Sequence, residues 1–218
     1  MVGQNSIYVW CRDHRVHHKF SDTDADPHNT RRGFFFAHVG WLLRKKHPQL
    51  LIESSKLNFD DLMADPVVRF QYHNYFPLYI IFALILPPLV PYYFFGETLF
   101  RSFMIVYVLR NMTSHHGTWF VNSTAHMFGA APYDHRIQPK ENYWVSFATK
   151  GEGYHNYHHT FPFDYRASED GGIFNQTKGF IDLMAWLGLA SNRKSVSKEM
   201  IRARIEKNTM SREDRTRS

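Results

Sequence analysis

The chain has 218 residues, with 26 Lys and Arg against 20 Asp and Glu, for a formal charge of +6. At 44% hydrophobic and 21% charged residues it carries ample material for a packed core, which excludes a wholly disordered chain. A single cysteine, Cys11, excludes a disulfide framework and any cysteine-based zinc finger or ribbon. Two counts stand out: 17% aromatic residues and 14 histidines.

Residues 1–10, MVGQNSIYVW, lack the basic start and long apolar run of a secretory signal. The first histidine pattern follows at His14-Arg15-Val16-His17-His18. On a helix, positions i, i+3 and i+4 share one face, so an HxxHH box presents three imidazoles to one point. A lone box of this kind in a His-rich chain reads as incidental more often than as a ligand set.

Tyr75–Phe95, YFPLYIIFALILPPLVPYYFF, holds no charge in 21 residues. At 1.5 Å per residue it reaches about 31 Å, the thickness of a hydrocarbon core. Tyr75, Tyr79, Tyr92 and Tyr93 lie towards its ends, where amphipathic rings favour the interface. The competing reading is a buried helix of a soluble protein. Pro77, Pro87, Pro88 and Pro91 argue against a straight helix, but prolines are tolerated in spans whose neighbours satisfy the freed carbonyls. The next stretch, roughly 99–120, is ambivalent, because Arg101 and Arg110 bracket its apolar centre and charge at mid-depth is expensive.

The second pattern, Asn122-Ser123-Thr124-Ala125-His126, places an amide and an imidazole four apart on one helical face. The third, His155-Asn156-Tyr157-His158-His159, repeats HxxHH. Neutral imidazole is the commonest protein ligand for a transition metal, and six to eight nitrogen ligands exceed the needs of one ion. The repeat therefore predicts two ions. Neither HExxH nor its inverse occurs, and the two HxxHH boxes do not resemble the carboxylate-bridged sites of soluble di-iron bundles, which use Glu-x-x-His pairs. His28, His38, His47, His73, His115, His116 and His135 read as surface or core residues, and the sequons at Asn111, Asn122 and Asn175 matter only in a lumenal setting. The last 28 residues carry nine Lys and Arg against four acids. That charge suits a solvated tail or a cytoplasmic position beside anionic lipid, and no nucleic-acid module accompanies it.

Topology follows from the boxes. One crossing alone would leave His14–His18 and His155–His159 on opposite sides of about 30 Å of hydrocarbon. A shared site requires a second crossing over about 99–120. The expected architecture is an all-α membrane protein, a transmembrane helical hairpin with a helical cytosolic cap. Its parts are 1–74 as the first part of the cap, 75–121 as the two spans, 122–207 as the second part, and 208–218 as a flexible basic tail.

Trp10-Cys11-Arg12-Asp13-His14-Arg15-Val16-His17-His18-Lys19-Phe20, with Asp26-Pro27-His28-Asn29 and 32–41, RGFFFAHVGW, resembles the second histidine box of animal delta-9 acyl-CoA desaturases. Trp119–Ser123 with His126, and Gly151–His159, continue the resemblance, which runs from about Gln4 to near Lys207. It implies a multi-pass enzyme of the endoplasmic reticulum membrane, with its boxes facing the cytosol. Such an enzyme uses two iron ions (Fe2+), O2, and electrons from cytochrome b5 and its NADH-dependent reductase to desaturate a saturated acyl-CoA. By that resemblance His14, His17, His18, His126, His155, His158 and His159 are iron ligands, and Asn122 acts through water. Asn5, Arg12, Asp13, Lys45 and Lys46 match positions that hold the CoA head group, and Trp119 one beside the substrate channel. The family's first box, HxxxxH, is absent, as are two further spans. The chain is therefore expected to be an N-terminally truncated desaturase with little activity on its own. Lys45 stands where Arg is usual, and Arg101 is atypical for a last span. The competing readings are a membrane fatty-acid hydroxylase and a non-catalytic membrane fragment.

Overall fold

The computed structural model describes residues 2–169 and 175–217. Among them every named element is helical, and extended pairing is limited to the isolated bridges Ala130↔Glu141 and Glu141↔Tyr154. The chain divides into two compact units, one of Met1–Pro27 with Arg44–Thr118, the other of His28–Leu43 with Trp119–Ser218.

In the first unit, α1 (Ile7–Phe20) starts at Ser6, whose Oγ accepts the Val9 N–H, and ends on His17, His18 and Lys19, cations suited to a helix C-terminus. The short helices α3 (Pro48–Ser55), α4 (Asp60–Ala64) and α5 (Pro66–His73) each open at a recognisable signal. His47 and Asp65 accept first-turn N–H groups before Pro48 and Pro66, and Asp60 and Asp61 occupy the first turn of α4. α1 lies on α5 through the Tyr8–Tyr72 ring pair and a bond from the Ile7 N–H to Gln71, and it meets α4 through a bidentate Arg15–Asp61 pair.

α6 (Tyr75–Phe94) is long and apolar enough to cross a membrane, the one such helix among the described residues. Its side chains point outward: Phe76 is 74% exposed, and Ala83 and Pro88 are its buried positions. A soluble protein would hide such a helix in its core. α7 spans residues 99–127 as Leu99–Ser102, a π-helical run Phe103–Leu109, and Arg110–Met127. It covers the second expected span and runs beyond it, but its composition falls short of that of α6.

A π-helical run, Ile80–Ile85, precedes Pro87, Pro88 and Pro91 of α6. The Ala83 carbonyl has its α-helical donor at position 87 and its π-helical donor at 88, and both are prolines without an N–H. Arg110 on α7 fills the gap, donating from Nη2 to the Ala83 oxygen at 3.0 Å. The arginine that weakens the hydropathy signal is thus the donor that the proline pair makes necessary. Arg101 instead sits 3.8 Å from Glu97 near the start of α7. The two helices also meet through the Tyr79 and Tyr107 hydroxyls, 3.0 Å apart.

In the second unit, α2 (Phe34–His38) lies between the 3-10 turns Thr30–Arg32 and Gly40–Leu43. α8 (Tyr143–Thr149) and α9 (His155–Thr160) follow the end of α7, and then α10 (Gln176–Trp186) and α11 (Lys198–Arg217). The core of this unit is Tyr133, Tyr157, Phe161, Val196 and Ile201, with Ile205 against it. The segment 208–218, expected as a flexible tail, opens on buried Asn208 and is helical to Arg217, and Ser218 lies outside the described residues. The difference arises because Asn208 donates to the Ala131 and Pro132 carbonyls, ties that a charge count does not reveal.

Arg110→Leu should strand the Ala83 carbonyl at a cost of about 1–3 kcal/mol. The expected outcome is a thermal midpoint in detergent several degrees below wild type, with Arg110→Lys in between. Equal midpoints for Arg110→Leu and wild type would refute the role given to this contact.

Candidate metal centre

In the first unit the HxxHH face is realised on the last two turns of α1. The Nε2 atoms of His14 and His18 lie 3.1 Å apart, and the Trp10 ring stacks on His14 at 4.6 Å. His17 Nδ1 lies 2.8 Å from Asp26 Oδ1, and the Asp26 side chain is fully buried. Asp26 Oδ2 also accepts the Asp22 N–H at 2.7 Å, which fixes the carboxylate. A carboxylate on Nδ1 holds the proton there and leaves the Nε2 lone pair for a metal, the arrangement that orients a ligating histidine. Asp26 was not among the candidate site residues, since its nine-residue separation from His17 follows no helical period.

The cationic residues on and near α1 also come together. Asp13 accepts from Arg12 Nε at 2.8 Å and from Lys46 Nζ at 2.8 Å, so one carboxylate holds both cations. Lys45 stands exposed beside Lys46. Asn5, just before α1, is exposed with a left-handed φ of 71°.

In the second unit His126, His155 and His159 converge. His155 Nε2 lies 2.9 Å from His126 Nε2 and 3.1 Å from His159 Nε2, and His126 and His155 are buried. Each of the three offers a ring nitrogen within 4.8 Å of the others. Neutral imidazoles facing one another this way supply one N–H for each two nitrogens, whereas a cation takes all the lone pairs. The donor set therefore fits a transition-metal ion. His158 packs beside them, its ring 5.6 Å from that of His155 and 5.7 Å from that of His159. Asn122 lies one helical turn before His126. Trp119 contacts His38 edge to face at 5.7 Å, and His38 is itself 3.0 Å from Ser123 Oγ.

A helix of six residues does not hold three imidazoles in place by itself. α9 is fixed from outside. Lys140 donates its N–H to the Ala125 carbonyl at 2.6 Å, next to His126. Glu141 exchanges backbone bonds with Ala130, and Asn142 donates to the Gly153 carbonyl. The Glu141 carboxylate then accepts the Tyr157 N–H at 2.7 Å inside α9. Residues 140–142 thus strap the end of α7 to α9, and so set His126 against His155. Gly153 is required for this fit, because a Cβ there would lie 2.2 Å from both Asn142 O and Ser146 N.

The Asn156 side chain accepts from the Tyr133 and Asp134 N–H groups and donates to the Asp134 and Pro139 carbonyls, which uses its full bonding capacity. Below it, the Tyr157 hydroxyl donates to Asp164. From α11, Arg204 donates to the Tyr133 carbonyl and pairs with Asp134. Of these anchors sequence reasoning singled out none; their partners lie 7 to 71 residues apart and carry no period.

Comparison with known proteins joins these observations. The family model for fatty acid desaturase matches residues 1–167. The chain belongs to the fatty acid desaturase family. Over 204 residues it is 54% identical to stearoyl-CoA desaturase 5 of Bos taurus, covering 94% of this chain and 61% of that protein. It is 54% identical over 207 residues to stearoyl-CoA desaturase of Homo sapiens, covering 95% and 58%, and 52% identical to an acyl-CoA desaturase of Cyprinus carpio, covering 95% and 64%. The chain thus spans about three fifths of the length of these curated relatives. Both HxxHH boxes of this desaturase-family chain lie within the matched residues.

Burial pushes the Glu141 carboxyl up to about 7, against the pull of the Tyr157 and Asn156 N–H groups. The folded state then holds a proton that the unfolded chain releases near 4.5, so this group's stabilisation is complete below pH 4.5 and is lost as pH rises through about 7. Glu141→Gln keeps the acceptor for Tyr157 but does not titrate. In thermal melts of the metal-free chain, the variant should gain on wild type as pH rises across that window, and a constant gap would refute the assignment.

Proposed function

We propose that this chain carries the second and third histidine boxes of a membrane-bound delta-9 acyl-CoA desaturase, with His14, His17, His18, His126, His155, His158 and His159 as ligands of a pair of irons and Asn122 acting through water. The observation that carries the reading is the realisation of both boxes as helical imidazole sets. One is oriented by Asp26, and the other is gathered by the 140–142 strap, within a chain of the desaturase family.

In this reading α6 and the 99–120 part of α7 cross the endoplasmic reticulum membrane as a hairpin, with the boxes on the cytosolic side. The outward apolar side chains of α6 and the engagement of Arg110 by the Ala83 carbonyl support that placement.

The reaction removes two hydrogens from C9 and C10 of a saturated acyl-CoA. One O2, two electrons and two protons enter, and two waters and the cis-unsaturated acyl-CoA leave. Bound iron supplies the activation of O2 that an unactivated C–H bond requires. NADH supplies the electrons through its reductase and cytochrome b5, whose acidic surface suits the basic surface of this chain.

The protein's own part is placement. Arg12 and Lys46 meet the phosphates of CoA, pre-positioned by Asp13, with exposed Lys45 next to Lys46 in the chain and exposed Asn5 as a further head-group contact. Anchoring the head group fixes how far the acyl chain reaches, and so which carbons come to the centre. Trp119 lines the mouth of the apolar channel, and Asp26 keeps the Nε2 of His17 available.

The test uses desaturase-deficient cells expressing the longest open reading frame that contains this chain. The expected product carries a new C9–C10 double bond by gas chromatography, and His158→Ala loses iron and product while remaining in the membrane fraction. A hydroxylated product would favour a hydroxylase, and unchanged turnover in His158→Ala would remove that residue from the ligand set.

A further inference from the structure

α10 does not belong to the metal-binding machinery, and its two sides differ sharply. One side is tied to its own unit: Asp182 accepts from Tyr165 at 3.0 Å, from Lys178 at 2.5 Å and from Arg193 at 2.5 Å. At its N-terminal end the Gln176 N–H donates to the Lys150 carbonyl, and Thr177 bonds Glu152. The other side is apolar and open. Phe180, Leu183 and Leu187, at i, i+3 and i+7, form one line along the helix, with Trp186 beside it and Leu189 just beyond. Phe180 is 62% exposed, Trp186 81% and Leu189 74%.

Charge indicates what covers this ridge. Residues 176–198 hold Lys178, Arg193, Lys194 and Lys198 against one acid, Asp182, for a net +3. Asp182 holds Lys178 and Arg193, while Lys194 and Lys198 follow a ridge about 10 Å long from Phe180 to Leu187, at 1.5 Å per residue. An indole at the edge of an apolar line, with Lys and Arg stems able to reach past it to head groups, is the pattern of a helix lying in a bilayer interface. A protein partner would have to match a narrow apolar line and a cationic fringe together, whereas an anionic lipid leaflet offers both without a specific shape.

We propose that α10 lies in the plane of the membrane surface, with Phe180, Leu183, Trp186 and Leu187 in the acyl boundary and Lys194 and Lys198 among anionic head groups. This gives the second unit a membrane contact of its own, separate from α6. The contact requires a bilayer but not iron or turnover, so it stands or falls apart from the desaturase reading.

The experiment places a nitroxide at Leu183→Cys, Trp186→Cys or Thr177→Cys, each in a Cys11→Ser full-length chain. The chains are reconstituted in phosphatidylcholine vesicles with or without phosphatidylserine. A label at Phe82→Cys reports insertion of α6 independently. Relative accessibility to O2 and to a water-soluble nickel chelate is read by electron paramagnetic resonance. Labels at 183 and 186 should show an O2-to-nickel ratio several-fold above that at 177, rising further with phosphatidylserine. Lys194→Glu should reduce that rise. Free access of nickel at 183 and 186, or immobilised labels reached by neither reagent because polypeptide covers them, would overturn the proposal even where 82 reports a well-inserted α6.

Discussion

The second unit depends on a strap of three residues. Residues 140–142 bond on one side to the last turns of α7 and on the other to the N-terminal region of α9, and the Glu141 carboxylate takes a backbone N–H from within α9 itself. Two imidazole-bearing helices from distant parts of the chain are thereby held so that their nitrogens meet. Isolated, a six-residue helix loses more conformational entropy than its few internal bonds return. Convergence of the three Nε2 atoms is thus a property of the strap and of the Asn156 and Tyr157 contacts beneath it, more than of the box that bears them.

A comparable division of labour governs the apolar helices. Consecutive prolines remove the donors that one carbonyl of α6 needs, and the remedy comes from a charged side chain on α7. Half-burying a guanidinium among apolar side chains is costly, and so is leaving a carbonyl unpaired there, so each reduces the cost of the other. An arginine that looks misplaced by hydropathy becomes intelligible once the proline spacing on the preceding helix is considered with it.

Much of the local structure was legible in sequence because it rests on short-range periodicity. The HxxHH spacing announces imidazoles on one helical face, as α1 displays, and the uncharged run from Tyr75 marks α6 to within a residue. The family was legible too, since the flanks of both boxes carry it. What escaped was the supporting shell. Asp26, Glu141, Asn156, Arg204 and Asn208 act through bonds to backbone or to single partners at irregular separations, and no period or composition exposes such pairs. The helix that runs through the charged end of the chain is illegible for a related reason: its charge suggests a solvated tail, while Asn208 bonds the Ala131 and Pro132 carbonyls.

That last tie has a practical side. Arg204 and Asn208 grip the loop from which Asn156 hangs, so the carboxyl-terminal helix is a foundation for the imidazoles more than an appendage. Clipping the polypeptide anywhere ahead of Arg204, whether by a protease or by a cloning decision, would loosen a histidine triad more than forty residues upstream. For anyone producing this protein, the stretch from Arg204 to Asn208 is not expendable.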